Sequence, residues 1–374
     1  MSFKRILFVT GTRADFGKIK PLIQELSKED CFEVHIFVTG MHMLPLYGDT
    51  YVEVEKVGFK NLFKFRNQSI NDPMDVVLGK TIFGLSDYIK NIVPDMMVIH
   101  GDRVEALAGA AVGALNNILT AHIEGGELSG TIDGSLRHSV TKLSHVHFVA
   151  NDSAKARLLQ LGENKKHVFV IGSPDVDIML SDELPSRTKV MDQYGIDFLE
   201  YNVALFHPVT TEVDDIKRQV KVFVDTLVAS NRNYVVIYPN NDLGSQSIIQ
   251  EYHRLAQNKK FKVFPSMRFE CFLTLLKYAG FIIGNSSAGI REAPYFGTPA
   301  IDLGSRQTGR SRKGSVINAL LDPTEINKAI VLANKFTPDK SNLFGRGESA
   351  KMFVKILKQD ELWKVSVQKS FVEL

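Results

Sequence analysis

Short apolar runs that end abruptly in polar residues recur along the chain, separated by longer segments of helical periodicity. A run of four to six apolar residues with this ending is the pattern of a parallel strand buried on both faces. Arg5–Thr10 and Phe32–Thr39 read as the first two strands, with a helix from about Lys18 to Lys28 between them. The stretch from Tyr51 to Ile70 reads as irregular, with Phe59, Phe63 and Phe65 packing a lobe, and Pro73–Asn91 as a core-facing helix. Met96–Ile99 and Leu119–Ile123 read as strands flanking an Ala/Gly-rich helix, and His145–Asn151 and His167–Gly172 complete a first sheet, with a helix over Asp152–Leu161 between those two.

At Gly172–Asp177 the pattern pauses, and Ser181–Tyr194 reads as a linker and an opening helix. The alternation then restarts, with strands at Val203–Phe206, Tyr234–Tyr238, Phe261–Phe264, Phe281–Ile283 and Pro299–Leu303. Every one of these delivers polar residues at its carboxyl end, the edge where open α/β sheets bind ligands. The expected architecture is α/β, with two Rossmann-like domains facing across a cleft. Residues 1–177 form the first, residues 178–350 the second, and residues 351–374 a helical tail with the one tryptophan, Trp363, packing back on the first.

Composition narrows the class. Of 374 residues, 44% are hydrophobic and 23% charged, as in ordinary globular proteins. Lys plus Arg number 45 against 42 Asp plus Glu, so no global field favours nucleic acid or a membrane surface, and neither is expected as a partner. Two widely spaced cysteines, Cys31 and Cys271, fit a reducing compartment and give no cysteine metal site. The first residues run straight from a short apolar strand into a glycine turn, unlike a secretion signal, and no segment approaches the length of a membrane span. A soluble, cytoplasmic protein is the expectation.

Candidate chemistry gathers at the strand ends. Asp102 and Glu124 follow the two central strands and Asp133 the next loop, beside His100, Arg103, His122, Arg137 and His138. Three acids on one edge suit proton transfer. The competing reading for Asp102 is a structural ion pair with Arg103. Gly11–Gly17 is either an anion-binding turn, with Arg13 and Lys18 in reach of the anion, or a plain strand–turn–helix start; it matches neither dinucleotide nor P-loop spacing. His42 reads as a loop or core histidine. In the second half, Asn285, Ser286, Ser287 and Gly289 stand where a strand turns into a helix, a place for a diphosphate, with Glu292 one turn on to accept from ribose hydroxyls. The competing reading is an N-cap followed by a surface glutamate. His207, Arg268 and Arg310 would share that edge. Diphosphate on one domain and acids on the other suit a nucleotide-sugar enzyme without metal or other cofactor.

Several motifs in order resemble the UDP-N-acetylglucosamine 2-epimerases: GTRADFGK, HGDR, HIEGGELSGTIDGSLRH, FHPVTTE and NSSAGIREAP. The variants present resemble the hydrolysing branch, which makes N-acetylmannosamine for bacterial sialic acid, and its relatives of legionaminic-acid pathways. The non-hydrolysing branch typically shows GTRPE, HVEAGLR and SGGIQEE, from which this chain departs at Ala14-Asp15, Gly125-Gly126-Glu127 and Ser287-Ala288-Gly289. The resemblance implies a two-domain fold of the glycosyltransferase-B type, with UDP held mainly by the second domain. It implies anti-elimination of UDP to a 2-acetamidoglucal, followed by hydration. Asp102, Glu124 and Asp133 would be the acid/base group, in an order the sequence leaves open. Arg13, Lys18 and His207 would steady the departing UDP, Ser286 and Ser287 would hold phosphate, Glu292 the ribose, and Arg268 would lie near the nucleotide. A homo-oligomer, dimer or tetramer, is the family expectation. The alternatives are the same chemistry on a UDP-2,4-diacetamido-2,4,6-trideoxyhexose, a non-hydrolysing epimerase, a glycosyltransferase of the same fold, and a non-catalytic nucleotide-sugar sensor.

Overall fold

A computed structural model of the chain describes residues 3–308, 314 and 316–373. Among them, no helix is long and apolar enough to cross a membrane. The chain divides into two compact units. The first comprises the residues up to Glu127, Asp133–Ser181 and the chain from Leu343 onward; the second comprises Leu128–Ile132 and Asp182–Asn342. The handover thus falls after Ser181, not at Asp177, and the return at Leu343, not near residue 350.

The first unit runs β1 (Lys4–Thr10), α1 (Arg13–Leu26), β2 (Phe32–Val38), α2 (Tyr51–Lys56), β3 (Asn61–Lys64), α3 (Met74–Ile92) and β4 (Met96–His100). It continues with α4 (Val104–Leu115), β5 (Leu119–Ile123), α5 (Ile132–Leu143), β6 (Val146–Val149), α6 (Asp152–Gln160), β7 (Val168–Val170) and α7 (Pro174–Met179). Its seven strands are all parallel, in the order β3-β2-β1-β4-β5-β6-β7. Strand order therefore reverses between β1 and β4.

Alternation along each strand builds two cores. Ile6, Phe8, Met96, Val98, Ala121 and Phe148 face one way, towards α1. Leu7, Val9, Met97 and Ile99 face the other, towards α3 and α4. The Ala/Gly composition of α4 has a steric cause. A Cβ on Gly109 would come within 2.6 Å of the Ile99 side chain, and one on Gly113 within 2.1 Å of Thr120 Oγ1, so the helix lies close against β4 and β5.

Two expected features of this unit change. The stretch expected to be irregular holds α2 and β3, an edge strand whose Phe63 stacks on Tyr88 with ring centroids 4.4 Å apart. The first helix starts at Arg13, not Lys18, because Thr12 caps it: its hydroxyl accepts from the Asp15 backbone N–H at 3.0 Å.

The second unit runs α8 (Arg187–Tyr194), β8 (Asn202–Leu205), α9 (Ile216–Ala229), β9 (Tyr234–Ile237), α10 (Ser245–His253), β10 (Phe261–Phe264) and α11 (Phe269–Lys277). Then follow β11 (Ile282–Gly284), α12 (Ala288–Arg291), α13 (Ala293–Phe296), β12 (Ala300–Leu303), β13 (Val316–Ala319) and α14 (Pro323–Ala333). Its parallel sheet has the order β10-β9-β8-β11-β12-β13, reversing between β8 and β11. β13 was not anticipated. Gly284 takes φ +141°, and a Cβ there would sit 2.0 Å from the Leu205 carbonyl oxygen, so only glycine lets the two central strands end this close.

After the return, α15 (Ser349–Leu357) belongs to the first unit. Asp177 caps it from α7, accepting from the backbone N–H groups of Ser349 at 2.9 Å and Ala350 at 2.8 Å. Phe353, fully buried, meets Phe148 at 4.8 Å and Phe8 at 6.3 Å between ring centroids. Phe353→Ala should cost about 3–5 kcal/mol of stability, the usual range for deleting a buried aromatic. Denaturant unfolding reads this directly, and a loss under about 1 kcal/mol would show that α15 is dispensable to the first core.

Candidate active site

The first unit's chemistry stands at its switch point. Asp15, in the first turn of α1, accepts from Thr10 Oγ1 at 2.8 Å and from the Gly11 N–H at 3.1 Å through one carboxylate oxygen. Its other oxygen meets His100 Nδ1, at the end of β4, at 2.8 Å. The opposite ring nitrogen, His100 Nε2, lies 3.2 Å from Glu124 Oε2, just past β5. Side-chain exposure is only 13%, 9% and 4% for Asp15, His100 and Glu124, so this is a buried carboxylate–imidazole–carboxylate line. Burial opposes charge on the ring, but hydrogen bonds and charges from Asp15 and Glu124 outweigh it and raise the His100 pKa to about 9. The ring is an imidazolium at neutral pH.

Glu124 is held on every side. The Ser173 hydroxyl, after β7, donates to its carboxylate, and Arg137 Nη1 donates to its carbonyl at 2.6 Å. Its φ of +63° lies in the left-handed region, an uncommon conformation for a glutamate that the surrounding bonds must stabilise. Arg137, on α5, also pairs with Asp102. Asp133, 8% exposed, sits one turn before Arg137 on the same helix, and residues four apart share a face.

Arg13 and Lys18 are both engaged within this unit. Lys18 Nζ lies 3.1 Å from Asp175, itself 1% exposed, and Arg13 lies 3.9 Å from Glu53. Two histidines are structural. His42 bridges Thr10 and Thr50, at 3.2 and 2.7 Å, and burial lowers its pKa to about 4. His122 bonds the Gly101 carbonyl at 2.8 Å and Thr141 at 3.2 Å, and burial lowers it to about 3.

The second unit's edge is built from amides and hydroxyls. Asn285 welds the ends of β8 and β11: its Oδ1 accepts from the His207 N–H at 2.7 Å, and its Nδ2 donates to the His207 carbonyl at 2.8 Å. His207 Nδ1 accepts from the Asn240 N–H at 3.0 Å, which leaves the proton of the neutral ring on Nε2. Ser286 and Ser287 are half-buried at this edge. One helix was expected here; the chain instead makes the two four-residue helices α12 and α13, which meet at the buried Glu292. Gly289 serves packing, since a Cβ there would lie 3.3 Å from that of Ala300 in β12. Arg268 is exposed at the start of α11, after β10. With three strand steps between β10 and β11, it stands roughly 14 Å along the edge from Ser286. Arg310 lies outside the described residues.

The structure thus brings Asp102, Glu124 and Asp133 to one edge of the first unit, and His207, Ser286 and Ser287 to one edge of the second. Sequence reasoning did not pick out Asp15, Ser173 or Asp175, and it noted His100 without a role.

Two parallel α/β sheets, each with its polar edge at a reversal of strand order, make a fold of the glycosyltransferase-B kind. A UDP-GlcNAc 2-epimerase of Neisseria meningitidis bound to UDP-GlcNAc shares it, with a TM-score of 0.78 at 20% identity, covering 94% of this chain and 99% of that one. So does the Methanocaldococcus jannaschii enzyme in complex with UDP-GlcNAc and UDP, with a TM-score of 0.79 at 22% identity and the same coverage. The model of the UDP-N-acetylglucosamine 2-epimerase family matches residues 24–358, and the chain belongs to that family. A UDP-N-acetylglucosamine 2-epimerase of Neisseria meningitidis serogroup B is 49% identical over 377 residues, covering 99% of both chains. A UDP-N,N'-diacetylbacillosamine 2-epimerase (hydrolyzing) of Legionella pneumophila is 32% identical, covering 95% of this chain and 96% of its own.

The buried histidines set a pH profile for stability. His100 is raised above its unfolded value of about 6.5, so its contribution is complete below that pH and is lost as pH rises through 9, a difference of about 3 kcal/mol. His42 and His122 are lowered, so the unfolded chain takes up protons that the folded chain refuses, and stability falls as pH drops below about 6.5. Denaturant unfolding between pH 5 and 9.5 should peak near neutrality, and His100→Gln should flatten the alkaline limb alone. An alkaline limb unchanged in that variant would remove the charged His100.

Proposed function

We propose that this enzyme is a hydrolysing 2-epimerase, converting UDP-N-acetylglucosamine and water to N-acetylmannosamine and UDP. The observation that carries the reading is the buried acid edge of the first sheet, where Glu124 is gripped by His100, Ser173 and Arg137, while Arg137 also pairs with Asp102 and Asp133 stands one turn before it on α5. The motif variants at Ala14-Asp15, Gly125-Gly126-Glu127 and Ser287-Ala288-Gly289 favour the hydrolysing branch.

In this reading the bond from the anomeric carbon to UDP breaks first, its electron pair leaving with the diphosphate. The cation left behind acidifies the hydrogen on carbon 2, and a carboxylate takes that proton to give 2-acetamidoglucal. An acid then returns a proton to carbon 2 from the opposite face, water bonds to the anomeric carbon thus made electron-poor, and a carboxylate takes the proton that the water gives up. Asp102, Glu124 and Asp133 are the candidates for these transfers. The positive ring of His100 beside Glu124 suits that residue to the accepting role. The charge that develops on UDP calls for fixed donors, and the His207 Nε2–H with the hydroxyls of Ser286 and Ser287 supplies donors of that kind. Arg13, Lys18 and Arg268 would add positive charge, and Glu292 would accept from the ribose.

A second substrate is supported by one specific finding. Besides the Legionella protein, a GDP/UDP-N,N'-diacetylbacillosamine 2-epimerase (hydrolyzing) of Campylobacter jejuni is 36% identical over 329 residues. The same edge chemistry would serve a UDP-2,4-diacetamido-2,4,6-trideoxyhexose.

A proton NMR time course with UDP-N-acetylglucosamine in deuterated water tests the reading. Free N-acetylmannosamine and UDP, with deuterium at carbon 2, is the expected outcome. A UDP-sugar epimer with little free UDP would mean non-hydrolytic epimerisation, and inertness followed by turnover of the diacetamido sugar would mean the second substrate. Asp102→Asn, Glu124→Gln and Asp133→Asn should each lose about 100-fold or more in kcat while UDP still binds. A near-normal rate in any of them removes that residue from the mechanism. Glu292→Ala should weaken UDP binding by about tenfold, and an unchanged Kd would refute the ribose contact.

A further inference from the structure

The end of the chain grips the helix that carries Asp133 and Arg137. Lys369 Nζ donates to three backbone carbonyls at the carboxyl end of α5, those of Thr141 at 3.0 Å, Lys142 at 3.0 Å and Ser144 at 2.7 Å. It also meets Glu163 Oε2 at 2.6 Å, and the Glu163 side chain is 1% exposed. The last carbonyls of a helix lack partners within it and carry the negative end of its dipole, so an ammonium placed among them satisfies both needs at once. Glu163 in turn holds His147 at 2.9 Å and Lys142 at 3.0 Å, which ties β6, α5 and the tail to one carboxylate.

Two residues before Lys369, the tail is tied to β5. His145 Nδ1 accepts from the Thr120 N–H at 3.0 Å, so the ring proton of the neutral form is on Nε2, which donates to the Val367 carbonyl at 2.9 Å. Val365 and Val367 pack against the first core. The tail therefore clasps both elements that flank the loop between Glu124 and Asp133, the strand that ends in one acid and the helix that begins with the other.

We infer that Lys369 is a positioning residue: through the α5 carbonyls and Glu163 it fixes the axial setting of the helix that presents Asp133 and holds Asp102 and Glu124 through Arg137. The inference rests on the acid roles proposed above. It is not a packing role in disguise. The Lys369 side chain is 26% exposed and its contacts are polar, so its loss frees a helix end without opening a cavity.

The test uses the full-length enzyme with Lys369→Met, and with Lys369→Cys alkylated by bromoethylamine to rebuild a lysine-shaped amine; wild type treated alike controls for Cys31 and Cys271. Turnover and KM are measured together with amide hydrogen exchange across α5. The expected result for Lys369→Met is a fall in kcat of about tenfold or more, KM and UDP affinity within about twofold of wild type, faster exchange at the amides of α5, and recovery of both readouts in the aminoethylated variant. A normal kcat in Lys369→Met, with Asp133→Asn inactive in parallel, overturns the latch and leaves the acid assignment standing. A fully active Asp133→Asn instead overturns the acid assignment, and with it the catalytic consequence drawn for Lys369. Equal losses of turnover and nucleotide binding without recovery on aminoethylation would mean general destabilisation, which also overturns the inference.

Discussion

Two ionised carboxylates on one buried edge repel each other, and a positive group between them offsets that repulsion. In the first unit that group is His100, in contact with Asp15 through one ring nitrogen and Glu124 through the other. Across the ring the two carboxylates stand roughly 8 Å apart, where like charges repel by about 2 kcal/mol at an effective dielectric constant near 20. A neutral group in place of the imidazolium would leave that repulsion uncompensated. The arrangement also has a topological meaning. Asp15 follows β1, His100 ends β4 and Glu124 follows β5, so one line of charged contacts joins three adjacent strand ends at the switch point. Burying such a line desolvates both carboxylates as well as the ring, so it is poor evidence for stability and better evidence for a site that must hold charge in a fixed place.

The two sheet edges are chemically unlike. The first collects Asp15, Asp102, Glu124, Asp133 and Asp175, balanced by His100, Arg137 and Lys18, and each counted pair is largely buried. The second offers neutral donors set by backbone bonds: the Asn285 amide is consumed in fixing His207, which in turn is oriented by Asn240. Carboxylates can move protons but repel phosphate, whereas neutral N–H and O–H donors can receive phosphate without a proton changing hands.

Much of the framework was legible because these sheets are parallel and buried. β4 and β5 read plainly as apolar runs, and their polar successors Asp102 and Glu124 follow from the rule that strand ends carry the chemistry. The weakly apolar edges were not legible. β3 has partly exposed residues throughout, and β13 alternates in exposure, so neither gives a long apolar run. The partners of the acids were hidden for a different reason. His100 meets Asp15 across 85 positions and Ser173 reaches Glu124 across 49, and no local pattern encodes such a meeting. Asp15 read as part of a glycine turn because its helix-starting role depends on the Thr12 cap. The single helix expected after Asn285 breaks into two turns at Glu292, just before Ala293-Pro294, where proline at the second position starts a helix more readily than it continues one.

α5 links these observations. Its first turn carries Asp133, its second Arg137, and its last carbonyls take the Lys369 ammonium. A helix transmits a displacement along its axis almost rigidly, since each 1.5 Å of rise is locked by a hydrogen bond. Arg137 has two partners on two different strand ends, Asp102 and the Glu124 carbonyl, and both bonds require the helix to sit at one height against the sheet. The carboxyl end supplies a constraint on that height. There the side chain of Glu163 and the ammonium of Lys369 hold α5 to the unit that contains β4 and β5. A tail residue distant in sequence from every acid is thereby part of the geometry that keeps Glu124 in its left-handed conformation and Asp102 in reach of Arg137.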